Sequence, residues 1–181
     1  MKRISGGLLS IGLAACGGSG GETSPSVNLP EARRQMTAEI IGVSGEVIGE
    51  AVLSESVHGM MFRLHAHGLP EGWHGAHLHT VGDCSDFSDG FKAAGGHVNI
   101  TGDEHGLLNP KGFHLGANFP NLFVSSEGAL RVEVFSQDLI LEEANDEDGF
   151  TFIIHINEDD HMSQPIGGAG GRIACAAFNP S

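Results

Sequence analysis

Residues 74–84, HGAHLHTVGDC, place His77 and His79 at positions i and i+2, with Cys84 shortly after them. In a β-strand, side chains two residues apart point to the same side of the sheet, so these two imidazoles would lie next to each other. On its own this spacing is more often an ordinary polar strand face than a metal site. The histidines elsewhere in the chain therefore decide between the two interpretations.

Composition limits the classes of function. The chain has 181 residues, including 28 glycines, 11 histidines and 3 cysteines, and its formal net charge is −14. This length suits one domain with some additional sequence. The acidity excludes a nucleic-acid partner, because such proteins need a basic face. With so few cysteines, any metal site would be built mainly on imidazole.

The N-terminal region has the pattern of a targeting segment. Lys2 and Arg3 precede an apolar run over residues 4–15, which is shorter than the about 20 residues needed to span a bilayer. Such a run is typical of a signal peptide. We therefore expect residues 1–15 to be a signal peptide and the protein to be exported.

The run ends in LAAC, residues 13–16, which resembles the lipobox of bacterial lipoproteins. We expect lipid on Cys16, a flexible Gly- and Ser-rich tether over residues 16–36, and a periplasmic, membrane-anchored protein. The alternative is an ordinary secretory signal in which Cys16 carries no lipid. The sequence is compatible with a monomer and with a homodimer.

From residue 37 to 181 the chain predicts one all-β domain. The segments TAEIIGV, EVIGEAVLSE, MMFRLHAHGL, ALRVEVFS and FTFIIHI carry β-branched and apolar residues, and Gly-containing turns separate several of them. Short strands of this kind favour a sandwich or barrel. Residues 81–123 show little periodicity, and a loop of that length in a compact domain is usually functional or disordered.

A second pair of histidines, His65 and His67, has the same spacing as the first. Here Phe62, Leu64 and Ala66 are expected to face the core, which puts both histidines on the outside. We expect ordinary surface residues, with a weak peripheral metal-collecting site as the alternative. We expect the remaining histidines to be surface or loop residues: His58, His74 and His161.

Four further segments carry a resemblance. They are AGGHVNI (94–100), GDEHGLLNPKGFHLG (102–116), FIIHINEDD (152–160) and GGAGGRIACAAF (167–178). Together with HGAHLH, and in this order, they resemble copper–zinc superoxide dismutases, and most closely the exported bacterial ones. The similarity runs from about residue 37 to residue 178. It implies an eight-stranded Greek-key β-barrel or sandwich with long metal-binding loops.

The resemblance also implies a site. The copper ligands would be His77, His79, His97 and His155. The zinc ligands would be His97, which bridges the two metals, His105 and His114.

The resemblance gives roles to further residues. Asp159 would link a copper ligand to a zinc ligand, and Arg172 would hold superoxide beside the copper. The resemblance pairs Cys84 with Cys175 in a disulfide. Arg172 and the bridging His97 would then be the catalytic residues.

The match fails at the fourth zinc ligand. The family has an aspartate three residues after the last zinc histidine, where this chain has Ala117 within HLGANFPN. An apparent one-residue insertion makes Asn118 the candidate for that place. An amide oxygen neutralises no charge, so the sequence predicts a complete copper site and weakly bound zinc.

The expected function is dismutation of superoxide to oxygen and hydrogen peroxide. The alternative is a lipoprotein that stores or delivers copper without turning over superoxide. Arg172 favours the enzyme, because a metal store has no need of an anion-binding guanidinium.

Overall fold

The structure, a computed structural model, describes residues 34–112, 118–137, 139 and 141–180, and the regular structure in this part of the chain is almost entirely β-strand. The strands are β1 (Gln35–Gly42), β2 (Val47–Ser56), β3 (Gly59–Ala66), β4 (Gly72–His74), β5 (Ala76–His79), β6 (Leu122–Val124), β7 (Leu130–Gln137), β8 (Phe150–His155) and β9 (Arg172–Phe178). One short helix, α1 (Leu141–Ala144), and 3₁₀ turns at Phe87–Asp89 and Lys92–Ala94 complete the regular structure. Within the described ranges, no helix is long and apolar enough to cross a membrane.

The strands form one curled antiparallel sheet of seven strands and a second sheet of two. The order is β5-β8-β9-β1-β2-β3-β7 in the first sheet and β4-β6 in the second. The chain crosses between distant strands twice, from β3 to β4–β5 and from β7 to β8. These long connections match the predicted Greek-key β-barrel, and the predicted fold class is confirmed.

The described strands number nine because one predicted strand changes sheets. Only Gly75 separates β4, which pairs with β6, from β5, which pairs with β8. A side chain at Gly75 would come within 2.9 Å of the Ala169 Cβ, so the close approach of a neighbouring loop requires glycine there. Counted as one bent strand, β4–β5 brings the number to eight.

Phe62 on β3 is the centre of the barrel core. Its ring centroid lies 5.3 to 6.4 Å from those of four other buried phenylalanines: Phe119, Phe150, Phe152 and Phe178. Strand β3 alternates in burial along most of its length, as its sequence predicts. His65 and His67 are exposed, so their predicted outward orientation is confirmed. They are not among the described groups of residues whose donor atoms converge closely enough to hold a metal.

Strand β8 differs from β3 because all six of its residues are buried. One face packs on the phenylalanine core, and the other is covered by a second apolar cluster that includes Phe91, Ile153 and Cys175. Phe91 belongs to the long loop after β5. The loops outside β8 therefore carry a small core of their own, which fixes them over the strand that ends in His155.

Candidate metal centre

Two neighbouring strands and one loop bring four histidines together. His77 and His79 lie on β5, and His155 is the last residue of the adjacent β8. His97 comes from the long loop and makes an isolated antiparallel bridge with His79. The ring centroids of His77 and His97 are 4.1 Å apart, and those of His77 and His155 are 4.9 Å apart.

These four rings aim nitrogen atoms at one point. Their potential ligand atoms all lie within 4.8 Å of one another. The alternation of side chains along β5 explains why both of its histidines contribute, as the sequence predicts. Four clustered imidazoles suit copper or zinc, which both favour nitrogen ligands.

A hydrogen bond on the far side of three of these rings determines which nitrogen faces the cluster. His79 Nδ1 lies 3.0 Å from the Gly95 carbonyl oxygen, and His155 Nδ1 lies 3.0 Å from that of Gly170. His77 Nε2 lies 2.7 Å from Asp159 Oδ2. The opposite nitrogens are His79 Nε2, His155 Nε2 and His77 Nδ1, which are buried and have no hydrogen-bond partner among the described residues.

Buried polar atoms in folded proteins are nearly always hydrogen-bonded. Three such atoms at one point, each on a ring oriented by a second hydrogen bond, are the arrangement that metal-binding histidines adopt. The residues present therefore fit a bound metal ion.

Electrostatics keep the rings neutral. Burial lowers the pKa of His79 to about 2 and that of His155 to about 4. Burial also lowers the pKa of His77 and of His97, in both cases from an ordinary value of 6.5. At neutral pH each of these rings has a lone pair for a metal, without having to lose a proton first.

A second group of buried residues adjoins the first through His77. His105 Nε2 lies 2.8 Å from Asp159 Oδ2, and its ring centroid is 5.4 Å from that of His97. Burial alone would raise the pKa of Asp159, but hydrogen bonds from His105, His77 and the His161 backbone N–H outweigh it and lower that pKa. The carboxylate therefore stays ionised between His77 and His105.

Asn118 lies beside this second group. It is 8% exposed and makes an isolated antiparallel bridge with His77. Residues that face each other directly in antiparallel strands carry their side chains on the same face, with Cβ atoms about 5 Å apart. Neither side-chain polar atom of Asn118 has a hydrogen-bond partner within the described part of the chain. The other two zinc-site positions considered from sequence, His114 and Ala117, lie outside the described residues.

Arg172 lies at the mouth of the cluster. It is the first residue of β9 and pairs with His155 across the sheet. Its guanidinium donates hydrogen bonds to the carbonyl oxygens of Phe91 and Gly95, the latter at 2.6 Å. Burial lowers the pKa of Arg172 from 12.5, yet a guanidinium stays charged in proteins. A cavity of about 310 Å³ opens here, lined in part by His79, His97, His155 and Arg172.

The predicted disulfide between Cys84 and Cys175 is present, with a Cα–Cα distance of 5.8 Å. It joins the long loop to β9, the strand that begins with Arg172. The loop that accepts the hydrogen bonds of the guanidinium is therefore attached covalently to the strand that carries it.

The expectation for His74 is wrong. It is 2% exposed, and its ring nitrogens lie 2.8 Å from the His155 carbonyl oxygen and 2.9 Å from that of Pro70. His74 thus holds the backbone of a cluster residue. The sequence did not indicate the role of Asn121, whose side chain accepts a hydrogen bond from the backbone N–H of Asp159 and donates one to its carbonyl, each at 2.8 Å. The one available signal was that His74 belongs to HGAHLH and Asn121 to HLGANFPN.

Comparisons with known proteins agree with this geometry. The family model described as copper/zinc superoxide dismutase matches residues 43–178. A Cu-Zn superoxide dismutase of Caulobacter vibrioides is 40% identical over 78% of this chain and 84% of its own length. One from Aquifex aeolicus is 42% identical over 78% of this chain and 84% of its own length.

Solved structures give the same result. A superoxide dismutase-like protein from Bacillus subtilis, 34% identical, aligns with a TM-score of 0.72 over 78% of this chain and 96% of its own. The Cu/Zn superoxide dismutase of Brucella abortus, 26% identical, aligns with a TM-score of 0.67 over 81% of this chain and 100% of its own. The chain therefore belongs to the copper/zinc superoxide dismutase family.

Proposed function

We infer that the chain is a copper- and zinc-dependent superoxide dismutase, which converts two superoxide anions and two protons into oxygen and hydrogen peroxide. The observation that carries this conclusion is the convergence of four neutral imidazoles beside Arg172, which pairs with one of them, His155, and lines the same cavity as three of them. Membership of the family gives independent support.

We assign His77, His79, His97 and His155 to copper. The assignment is supported by the partnerless buried nitrogens of His77, His79 and His155 and by the short distances among the donor atoms of all four residues. Copper, when bound, supplies the one-electron chemistry that dismutation requires. The carbonyls of Gly95 and Gly170 and the carboxylate of Asp159 keep three of the rings in the tautomer that presents a lone pair.

Arg172 and His97 have separate roles. Arg172 binds the superoxide anion, because it places a fixed positive charge at the wall of the cavity that His79, His97 and His155 also line. His97 would bind copper through one ring nitrogen and zinc through the other, which requires the ring to lose its N–H proton, and with one metal only it would carry a proton on its other nitrogen. The cavity admits a small anion to the imidazole cluster while most of the cluster stays buried.

A copper-storage protein would need the same imidazoles but not the guanidinium, so Arg172 favours the enzyme. The deciding experiment measures superoxide decay by stopped-flow with metal-free and copper-loaded protein. We expect decay to accelerate in proportion to bound copper. Stoichiometric copper binding without acceleration would instead support storage.

We assign zinc to His97, His105 and His114, with the Asn118 amide oxygen as the fourth ligand. Support for Asn118 comes from its burial beside His77 and from its side-chain polar atoms, which have no hydrogen-bond partner among the described residues. An amide brings no negative charge to a divalent cation, so zinc is held weakly.

The Asn118→Asp variant is expected to bind zinc at least about tenfold more tightly, because outer hydrogen-bonding partners alone change metal affinity by about 10–100-fold. It should also unfold at a higher temperature when zinc is present. Competition with a chromophoric zinc chelator measures the affinity.

Ala117→Asp is the matched variant, since it adds the same charge one residue away. We expect little change from it. If Ala117→Asp tightens zinc and Asn118→Asp does not, the assignment of Asn118 is wrong. If the wild type already holds one zinc per chain against a strong competitor and neither variant changes this, another residue supplies the ligand.

We further propose that residues 1–15 are a signal peptide, that residues 16–36 form a tether lipidated at Cys16, and that the domain of residues 37–181 is anchored to a membrane in the periplasm. The support is the LAAC sequence at residues 13–16 and the Gly- and Ser-rich composition that follows it.

Cys16→Ser is expected to leave unprocessed precursor or to move the protein from the membrane fraction to the soluble fraction, because serine has no thiol to carry lipid. Fractionation and intact-mass analysis measure both outcomes. Cys84→Ser is unsuitable as a control because it breaks the disulfide, so Ser19→Ala in the tether serves instead. Extraction of the wild type without detergent would contradict lipidation.

A further inference from the structure

The backbone of His105 is held by a single side chain from another loop. Gln164 accepts a hydrogen bond from the His105 N–H through Oε1 at 2.8 Å and donates one to the His105 carbonyl through Nε2 at 2.8 Å. The two residues are 59 positions apart, His105 between β5 and β6 and Gln164 between β8 and β9. Two bonds to one residue fix both the position and the orientation of its peptide groups.

Other contacts fix the rest of His105. Its Nε2 lies 2.8 Å from Asp159 Oδ2, and its carbonyl also accepts a hydrogen bond from Asn109 Nδ2 at 3.1 Å. The next residue, Gly106, packs so closely on the loop after β8 that a Cβ there would lie 2.2 Å from the His161 carbonyl oxygen. The Leu108 N–H donates to that same oxygen at 3.1 Å.

These contacts use only atoms of the protein. Gln164 at the peptide groups and Asp159 at Nε2 therefore orient the His105 ring through protein contacts alone. A pre-oriented ligand loses less conformational freedom when it binds a metal, so its affinity for the metal is higher. This gain matters most where the ligand set lacks an anion and binding is otherwise weak.

We propose that Gln164 is a positioning residue for zinc: its amide orients His105 in the metal-free protein and so compensates in part for the missing carboxylate. This rests on the proposed assignment of His105 as a zinc ligand. Gln164 is itself an exposed residue, so its substitution creates no cavity in the core. A merely structural brace between two loops would affect stability but not zinc affinity specifically.

The test uses Gln164→Leu, which at similar size removes both hydrogen bonds to His105 and also the 3.1 Å bond from Nε2 to the Met162 carbonyl, and Gln164→Glu, which keeps an acceptor for the His105 N–H but loses the donor to its carbonyl. Ser163→Ala is the matched control, because Ser163 Oγ bonds Asp160 in the same loop, whereas the described hydrogen bonds from this loop to the His105 backbone come from Gln164. Two quantities are measured in the full-length protein: hydrogen exchange of the His105 amide without metal, and zinc affinity against a chromophoric chelator.

For Gln164→Leu we expect at least about tenfold faster exchange of the His105 amide and about tenfold weaker zinc binding, within the range typical of lost outer partners of metal ligands. Gln164→Glu should be intermediate and Ser163→Ala close to the wild type, with the visible spectrum of bound copper unchanged in all three. Faster exchange with unchanged zinc affinity would overturn the proposal, and so would equal losses of zinc and copper.

The His105→Ala variant distinguishes a failure of the proposed role of Gln164 from a failure of the zinc assignment of His105. If His105→Ala weakens zinc binding and Gln164→Leu does not, only the positioning role fails. If His105→Ala leaves zinc binding intact, the zinc assignment itself is wrong and the role of Gln164 is lost with it.

Discussion

Replacing His155 with alanine is expected to abolish superoxide dismutation and to leave the fold largely intact. The substitution removes the one of four converging imidazoles that lies at the end of β8 and lines the same cavity as Arg172. Loss of an outer hydrogen-bonding partner already costs metal sites about 10–100-fold, so loss of a ligand should cost at least that. Activity per bound copper and copper affinity are the quantities to measure.

The fold should survive because the backbone of His155 makes its own contacts. Its N–H donates to the Gly75 carbonyl at 2.9 Å, and its carbonyl lies 2.8 Å from His74 Nδ1. Neither contact needs the imidazole. Circular dichroism and the thermal midpoint check this. His67→Ala, on the exposed outer face, is the control and should retain full activity. Wild-type activity in copper-loaded His155→Ala would show that the copper site is elsewhere.

Alternation along strands explains how much of the site could be predicted. His65 and His67 have the same spacing as His77 and His79, but the two pairs face opposite environments. The apolar residues Phe62, Leu64 and Ala66 occupy the inward positions of β3 and leave its histidines outside. On β5 all four residues are buried, because the long loops cover its outer side. Burial of β5 by these loops depends on tertiary structure, so strand periodicity could not predict it. Only the family resemblance indicated that His77 and His79 are metal ligands.

The contacts that orient the imidazoles could not be predicted in this way. His74 is the first residue of HGAHLH, and no periodic rule distinguishes it from a surface histidine, yet it is buried against the backbone of His155. Gln164 and His105 are 59 residues apart in the chain, and the side-chain amide of Gln164 hydrogen-bonds to the backbone of His105. No local sequence pattern predicts such a pair. The alternation of apolar residues along a strand predicts which side chains are buried. The hydrogen bonds of His74 and Gln164 depend instead on how irregular segments lie against each other in the folded protein.

The second large effect is expected at Arg172. Arg172→Glu should lower kcat/KM for superoxide by at least about 100-fold with little change in copper content. At an effective dielectric constant of about 20, two unit charges 4 Å apart interact by about 4 kcal/mol. Reversing the charge replaces an attraction of this order by a repulsion, and solvent in the open cavity reduces both. Each 1.36 kcal/mol changes the rate about tenfold, so a 100-fold loss of kcat/KM is a lower bound.

Salt dependence and a neutral variant identify the cause. Arg172→Gln should lose less activity than Arg172→Glu, because it removes the attraction without adding repulsion. The activity of Arg172→Glu should rise with ionic strength, since salt screens the repulsion between the new carboxylate and the anion. The guanidinium also donates to the Phe91 and Gly95 carbonyls, and a carboxylate would be repelled by both. Glu at this position could therefore loosen the loop that carries His97, and bound copper must be measured in every variant. If activity falls only in proportion to lost copper, and salt has no effect, then Arg172 supports the loop and does not bind superoxide.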